Sequence, residues 1–478
     1  MNDKSTQHWP GRWFLADTPS IEIAGTLHME GSLKLSLELI GSFSDDLTRV
    51  LKFGGSAVVH GISTSGSLLT VELVDEELVG KSAFGTRKTY RVHRVIEGDL
   101  LPNLDPEILS VEFGLSRLHD WVGPKTFGLE SSYEDYPYGA TLTLKYQDPK
   151  PITLLESDDL SIYLQFWSGL PFVGPQSRSG CLRHFSGLRI DSHKPRKLSA
   201  LLPVVGQMRA MLSFATATPN WVTYLSAHRQ RDDSKPLQTR VTPRGRLKFF
   251  PVDDPEGEPA KMVFPSQMLF ALADDMSMGR SATSSWVRSW PKMGPLIQLF
   301  LGANQSTEIY QEHRFISLIH AVEGFHRLNY SNSLVPKAKH KSRMLGILSC
   351  LAEEDREFVG RGLQYSNEPS LRLRLKELLD IALKTVPGFM GSEQEFLRSV
   401  VETRHYHSHF EPKLKRKAAG SAVLFELCSV LSSMFEILTL LHLGFPAEKV
   451  KEVINRGRFN RPIRGVVRFV LENRWGVV

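Results

Sequence analysis

Three histidines and an arginine lie within six residues near the C-terminal end of the chain, in the run Arg404-His405-Tyr406-His407-Ser408-His409. A guanidinium is always charged and offers a planar set of donors to a phosphate. Imidazole can accept and release a proton near neutral pH. Cleavage of RNA by its own 2'-hydroxyl needs such proton transfer, together with stabilisation of charge on the phosphorus oxygens. The run therefore predicts a ribonuclease site that works without a metal.

The spacing of an arginine and a histidine does not by itself identify such a site. Comparable spacings recur in the pairs Arg87/His93, Arg178/His184 and Arg314/His320. Only the Arg404 run combines the end of an apolar helical pattern with further imidazoles and a basic continuation, which consists of Lys413, Lys415, Arg416 and Lys417. These four side chains predict contacts with an RNA backbone. A solvated basic surface is the alternative interpretation.

Basic charge is concentrated near the C-terminus. The 478-residue chain has 58 Lys and Arg against 52 Asp and Glu, a net charge of +6. Residues 401–478 alone contain 13 basic and 7 acidic side chains, which accounts for the whole excess. Clustered positive charge beside a site suited to phosphate favours a polyanionic partner, here RNA.

The spacing of the cysteines and the apolar segments argue against a disulfide-rich, zinc-binding, secreted or membrane protein. Cys181, Cys350 and Cys428 lie far apart without a CxxC spacing, so neither a disulfide framework nor a zinc site is predicted. The polar N-terminus lacks the apolar region of a secretion signal. The apolar segment 422–445 contains two glutamates and is interpreted as a buried helix. We expect a cytoplasmic protein that needs no membrane, metal or cofactor.

Two periodicities divide the chain. From Trp13 to about Trp167, short runs alternate apolar and polar residues, which is typical of strands. From about residue 300, apolar residues recur at helical spacing. We predict an α+β multidomain fold with a β-rich, sandwich-like or barrel-like domain at 1–295, including a helix at about 200–225. An all-α bundle should follow at 300–478.

Four apolar stripes define the predicted helices of the bundle, at 309–328, 371–383, 396–403 and 423–443. Pro412 disfavours helical backbone at the preceding residue, so the helix that contains the Arg404 run should end near it. A charged loop is predicted at 229–259. The sequence has no phosphate-binding loop, dinucleotide fingerprint, HExxH or GxSxG motif, which disfavours nucleotide hydrolysis, zinc proteolysis and serine esterase chemistry.

A β-rich half followed by a helical domain with this Arg-His run resembles the ApeA family of bacterial antiphage proteins. The helical part resembles a HEPN ribonuclease domain. The matching segments are residues 11–14, 25–27, 318–327, 369–375 and the long helix up to Gly444. The resemblance implies metal-independent RNA cleavage where two copies of the motif meet in a dimer. It also implies growth arrest of infected cells through degradation of host RNA, often tRNA.

The R-x4-6-H motif of HEPN ribonucleases maps onto Arg404 and His409, with His405 where asparagine is more usual. We expect His409 to act as general base or acid on the 2'-hydroxyl or the leaving 5'-oxygen. Arg404 would stabilise the scissile phosphate, and the products would be a 2',3'-cyclic phosphate and a 5'-hydroxyl. Five residues of a helix turn through about 500°. The helix is therefore expected to end between the two residues, unless a second subunit completes the site.

Neighbouring residues have predicted supporting roles. His405 and His407 are candidates for the second proton-transfer group, and Tyr406 is a candidate for stacking on a base. Glu323 and His326, three residues apart on the first bundle helix, are candidates for orienting the motif.

Other interpretations of the helical domain stay open on the sequence alone. Arg404 and His409 could simply stabilise the C-terminus of a helix against its dipole, in an inactive HEPN-like module for dimerisation or nucleotide binding. The spacing of His405, His407 and His409 would converge on a metal only in an extended strand, so no metal site is predicted.

The N-terminal half contains no catalytic constellation, so its predicted role is to sense a phage-derived trigger and restrain the nuclease, or to present the substrate. Trp121 and Trp167 are candidates for a ligand groove, with core packing as the alternative. A β-sandwich that binds a ligand such as a carbohydrate is a further alternative. For the whole chain we expect a homodimer or larger homo-oligomer that binds RNA.

Overall fold

The computed structural model describes most of the chain, namely residues 7–31, 34–43, 50–51, 53–82, 85–123, 126–133, 140–147, 149–169, 183–229, 245–252, 262–306 and 308–460. The chain forms two compact units. The first contains residues up to 212 together with 220–263, and the second contains 213–219 together with residues from 264 onward.

Six antiparallel strands of the first unit close into a barrel in the order β1-β2-β3-β6-β5-β4. Pairing of β4 with β1 and of β5 with β6 completes the ring. Along β3 the side chains of Leu35, Leu37 and Leu39 are buried in the barrel core, as their period-two spacing predicts. The strands are β1 (Gln7–Leu15), β2 (Ile23–Glu30), β3 (Lys34–Ile40), β4 (Ala57–Ser63), β5 (Leu68–Ser82) and β6 (Gly85–Glu97).

Strand β6 also pairs with β14, which extends the barrel into an open antiparallel sheet in the order β6-β14-β13-β7-β12-β11-β10. Strands β8 and β9 form a separate hairpin. The bounds are β7 (Glu107–Leu115), β8 (Phe127–Tyr133), β9 (Ala140–Tyr146), β10 (Ile152–Glu156), β11 (Leu160–Ser168), β12 (His184–Lys197), β13 (Val222–His228) and β14 (Arg246–Phe250), with helices α1 (Leu118–Val122) and α2 (Leu198–Ala215).

Eight α-helices make up the described part of the second unit. They are α3 (Met276–Gln305), α4 (Gln311–Asn329), α5 (Lys337–Ser349), α6 (Glu353–Gly362), α7 (Leu371–Thr385), α8 (Glu393–His409), α9 (Ser421–His442) and α10 (Ala447–Asn460). Helix α9 is the central one, since most of its side chains from Leu424 to Leu440 are buried. The prediction of a β-rich, barrel-like part followed by a helical bundle is confirmed.

Several predicted boundaries need correction. The helix expected at 200–225 ends at Ala215, because Ala217 adopts a left-handed conformation and Pro219 disfavours helical backbone at Thr218. Strand β13 follows instead. Strand β14 lies within the predicted loop 229–259, of which residues 230–244 and 253–259 are outside the described residues. The predicted division near residue 300 falls inside α3.

Two of the described helices, α2 and α9, are long and apolar enough to cross a membrane when only length and composition are considered. In α9, 78% of the apolar window is buried inside the structure, as in the core helix of a folded domain. The prediction of a buried helix at 422–445 agrees with this burial.

The barrel depends on a close approach between Gly61 on β4 and the fully buried Trp13 on β1, which face each other across the strand pair. A Cβ atom at Gly61 would lie 2.8 Å from Trp13 Cη2 and closer to other ring atoms. We expect Gly61→Ala to destabilise the barrel by about 2 kcal/mol through overpacking. The measurement is hydrogen exchange of the barrel strands in the full chain.

The matched control is Gly206→Ala on α2, where no atom lies within 4 Å of the added Cβ. Alanine is favoured over glycine in a helix by up to about 1 kcal/mol, so this variant should be neutral or stabilised. Equal exchange in the two variants would contradict the importance of the Trp13 contact.

Candidate active site

The Arg404 run lies at the C-terminal end of α8, which is helical without interruption from Glu393 to His409. Phe410 ends the helix in the left-handed conformation, with φ of 54°, and its N–H donates to the Tyr406 carbonyl at 2.7 Å. The expectation that the helix ends between Arg404 and His409 is wrong. Pro412 restricts the residue before it, so it leaves the run helical and begins a short 3-10 turn of its own.

Helix geometry separates Arg404 from His409. Five residues at about 100° each leave the two side chains about 140° apart around the axis of α8. The exposed residues Ser408 and His405 lie on the arc between them. The rings of His405 and His409, four residues apart, are neighbours with centroids separated by 4.7 Å. One copy of the chain therefore presents a pair of imidazoles on one side of the helix and a guanidinium on another.

Arg404 is half-buried, and its Nε is buried without a hydrogen-bond partner within the part of the chain that the structure describes. A buried donor that lacks an acceptor costs free energy. The Nε of Arg404 is thus an unsatisfied donor within one chain, while the half-buried side chain keeps part of its surface open to a phosphate.

The basic segment that follows the run is folded back onto α8. The buried Thr403 hydroxyl accepts a hydrogen bond from the N–H of Ala419 at 3.0 Å. Within the turn, Leu414 accepts backbone hydrogen bonds at its carbonyl from the N–H groups of Lys417 and Ala418. The turn thus holds four exposed cations near the end of α8, namely Lys413, Lys415, Arg416 and Lys417. Their charges favour phosphate beside the imidazole pair.

His407 and Tyr406 are half-buried. The ring of His407 lies 6.5 Å from that of Phe315 on α4, so His407 packs toward the bundle. The ring of Tyr406 lies 5.9 Å from that of Phe410. Of the three histidines, the exposed His405 and His409 are therefore better placed than His407 to exchange protons with a bound RNA.

The helix also corrects the geometric argument against a metal. Residues four apart on a helix are neighbours, so imidazole convergence does not require a strand. Glu411 Oε1 lies 3.9 Å from His405 Nε2. Even so, no three His, Cys, Asp or Glu side chains of the described residues form a group that could hold a metal ion.

Two family models match the chain one after the other. The model described as ApeA N-terminal domain 1 matches residues 8–281, more than half of the chain. The model described as Apea-like HEPN matches residues 316–449, which include the whole Arg404 run. The chain belongs to the ApeA family. It is therefore a member of an antiphage family of the HEPN nuclease type. No curated protein and no solved structure matches the chain.

Glu323 and His326 lie on α4 of the HEPN domain, but their hydrogen bonds go to residues outside the motif. Phe315, which approaches His407, precedes His326 by eleven residues, or about 16 Å along a helix axis. Glu323 accepts hydrogen bonds from Arg327 at 3.1 and 3.2 Å. The predicted contact of these residues with the motif is thus not made within one chain, because α4 carries them away from it.

His326 belongs instead to a buried polar cluster of the HEPN domain. Its Nδ1 accepts a hydrogen bond from Arg374 Nη1 at 3.1 Å, since a guanidinium has no acceptor. Its Nε2–H therefore donates to Glu377 Oε2 at 2.7 Å. The two partners fix the orientation and the neutral tautomer of this fully buried imidazole.

Arg374 is fully buried and was not singled out from the sequence. It donates to the Pro369 carbonyl at 3.1 Å, Asn332 Oδ1 at 2.5 Å and Glu368 Oε2 at 3.4 Å. Burial lowers the pKa of Arg374, and the charge of Arg327 lowers it further, while nearby glutamates raise it. The signal in the sequence was a charged residue within the buried stripe of α7, next to Leu375 and one turn before Leu378.

We expect Arg374→Leu to destabilise the HEPN domain by about 3 kcal/mol, because it leaves buried acceptors on His326 and Asn332 without their donor. Hydrogen exchange of α4 and α7 in the full chain measures this effect. Arg372→Leu, at an exposed position on the same helix, is the matched control and should leave exchange unchanged. Similar protection in both variants would show that the cluster does not stabilise the domain.

Proposed function

We propose that this chain is an endoribonuclease that cleaves host RNA, with tRNA as its substrate, by a mechanism that needs no metal. The observation that supports it most directly is the exposed pair of imidazoles of His405 and His409, with ring centroids 4.7 Å apart. The same end of α8 carries Arg404, whose Nε has no partner among the described residues. The four exposed cations of the following turn supply the attraction for a polyanion.

In the proposed reaction, one imidazole of the His405/His409 pair removes the proton of a ribose 2'-hydroxyl. The 2'-oxygen then forms a bond to the adjacent phosphorus as the bond from phosphorus to the 5'-oxygen breaks. A protonated imidazole gives its proton to the leaving 5'-oxygen. The products are a 2',3'-cyclic phosphate and a 5'-hydroxyl, and Arg404 stabilises the charge on the phosphorus oxygens.

A second copy of the chain completes the proposed site. With Arg404 and His409 about 140° apart on an uninterrupted helix, one chain presents them in different directions. Two copies of α8 that meet can place the guanidinium of one chain opposite the imidazoles of the other. Phe410, 68% exposed and next to the motif, offers an apolar anchor for such a contact.

The biological role proposed here is abortive defence in the cytoplasm, where tRNA is present and its cleavage stops translation. A phage-derived trigger would act on the N-terminal domain. Membership of an antiphage family supports the defence role, and the chemistry of the motif supports RNA as the target.

The nuclease is tested with purified protein and total bacterial tRNA in EDTA. His409→Ala and Arg404→Ala should each lower cleavage by about 100-fold or more, since each removes proton transfer or charge stabilisation. End mapping should find cyclic phosphate on the wild-type products.

The control is His320→Ala, an exposed histidine on α4 that has a comparable spacing from Arg314. It should cleave like the wild type. If neither the protein alone nor the protein in infected-cell extract cuts RNA, or if cleavage requires a divalent metal, the proposed mechanism is wrong.

The dimer is tested with Phe410→Gly. Glycine adopts the left-handed conformation of residue 410 without steric cost, so the folded monomer should gain up to about 1 kcal/mol. Loss of the apolar ring should weaken self-association at least tenfold, as measured by sedimentation equilibrium, and lower cleavage in parallel.

The matched control for the dimer is Phe358→Ala, which removes an aromatic ring that is 78% exposed on α6. This variant should associate like the wild type. A monomeric wild type with full activity would rule out the shared site.

A further inference from the structure

The open sheet of the N-terminal unit contains a cavity of about 460 Å³ that the nuclease proposal does not use. Its walls come from strands β7, β11, β13 and β14. Pockets that bind small organic ligands have volumes of roughly 300–1,000 Å³. The cavity is thus large enough for one such molecule.

Two glycines make room for the aromatic wall of this cavity. Gly187 on β12 pairs with Gln165, and Gly114 on β7 pairs with Tyr224. A Cβ atom at Gly114 would lie 2.5 Å from Tyr224 Cε1, and one at Gly187 would overlap the Tyr224 hydroxyl and crowd the Trp167 ring. Only residues without a side chain let both rings lie flat against the sheet here.

The aromatic wall contains Trp167 and Tyr224, and Phe185 packs against Trp167 without lining the cavity. Trp167 stacks on Phe185 with centroids 6.0 Å apart and meets Tyr224 edge-on at 5.9 Å. Trp167 is 37% exposed and lines the cavity. Trp121, the other tryptophan proposed for a groove, is fully buried. The indole ring of Trp167 is therefore fixed by its aromatic neighbours and partly exposed, so a planar ligand can stack on it.

Charged groups of both signs lie beside this wall. Glu112, Arg246 and Lys248 all line the cavity. His228, whose Nε2 lies 3.3 Å from Glu112 Oε1, lowers the pKa of Glu112, with further lowering by Arg246 and Arg189 against the effect of burial, so the carboxylate stays ionised. The buried Nε of Arg246 makes no hydrogen bond to any of the described residues.

We propose that this cavity binds a purine nucleotide. A purine ring stacks on an indole, Glu112 can accept hydrogen bonds from its amino or imino groups, and Arg246 with Lys248 can contact its phosphate. A carbohydrate would pack on the aromatic wall, but an uncharged sugar would leave the two cations, Arg246 and Lys248, without an anionic group to bind. This site is independent of the proposed ribonuclease activity, because no residue of the motif takes part in it.

The test is isothermal titration of the full-length protein with ATP, GTP, AMP, GMP, adenosine, guanosine and inorganic phosphate. We expect one saturable site per chain for at least one purine nucleotide, with weaker binding of its nucleoside and of phosphate. Trp167→Ala should weaken that binding by about tenfold or more. Trp167→Phe should retain most of it, which also shows that the site tolerates a change without unfolding.

Charge is tested with Lys248→Gln, which should weaken binding of the nucleotide but not of its nucleoside. Lys248 is paired with Glu97 at 3.3 Å. The matched control is Lys34→Gln, since Lys34 on β3 is likewise paired with a glutamate, Glu30, at 3.2 Å and lies away from the cavity lining. Arg404→Ala should bind the nucleotide like the wild type, which separates this cavity from the nuclease site.

Three results would overturn the proposal. One is that no purine nucleotide saturates the protein at about 1 mM, where the binding free energy is only about 4 kcal/mol. Another is that Trp167→Ala binds as tightly as the wild type. The third is that an oligosaccharide or an aromatic dipeptide binds with the same dependence on Trp167 while the nucleotides do not.

Discussion

The organisation of the HEPN domain depends on one guanidinium that has no access to solvent. A buried charge is tolerated only where its hydrogen bonds are made, and Arg374 finds its acceptors on α4, at Asn332 and at residues 368–369. These positions lie at the two ends of the segment that separates α4 from α7. The Arg374 guanidinium therefore fixes both ends of the segment between α4 and α7. It also holds α4 and α7, the two helices that α8 packs against, in a fixed alignment.

The placement of the motif follows from the helix that contains it. Helix α8 stays regular as far as His409, so the His405/His409 pair lies on an exposed surface. Proton transfer and charge stabilisation are strongest where water is excluded. In the proposed ribonuclease, a bound RNA and a second copy of the chain would have to exclude water from this open surface. Because the helix is regular, the His405/His409 pair and Arg404 face different sides of α8.

The sequence predicted the elements whose pattern is local. Alternation along β3 and the apolar stripes of α4, α7, α8 and α9 were sufficient, because burial of one face imposes the period. Helices α5 and α6, which bury no side chain, were not predicted. Helices α3 and α10 were not predicted either, although both bury side chains. The Arg404 run was found from its residue types. The side chains that approach it from other helices, such as Phe315, were not predicted. The separation of His326 from the motif and the burial of Arg374 depend on packing between helices, which no local pattern in the sequence contains.

Helices α5 and α6 form an arm whose ends are joined at its base. The Leu334 N–H donates to the Asn367 carbonyl at 2.8 Å, and the Asn367 side chain exchanges hydrogen bonds with both backbone groups of Val335 at 3.0 Å. The cost of closing a longer or shorter arm between fixed ends changes only slowly with its length. The arm can thus be lengthened, shortened or replaced between its fixed ends at little cost in free energy to the rest of the helical domain.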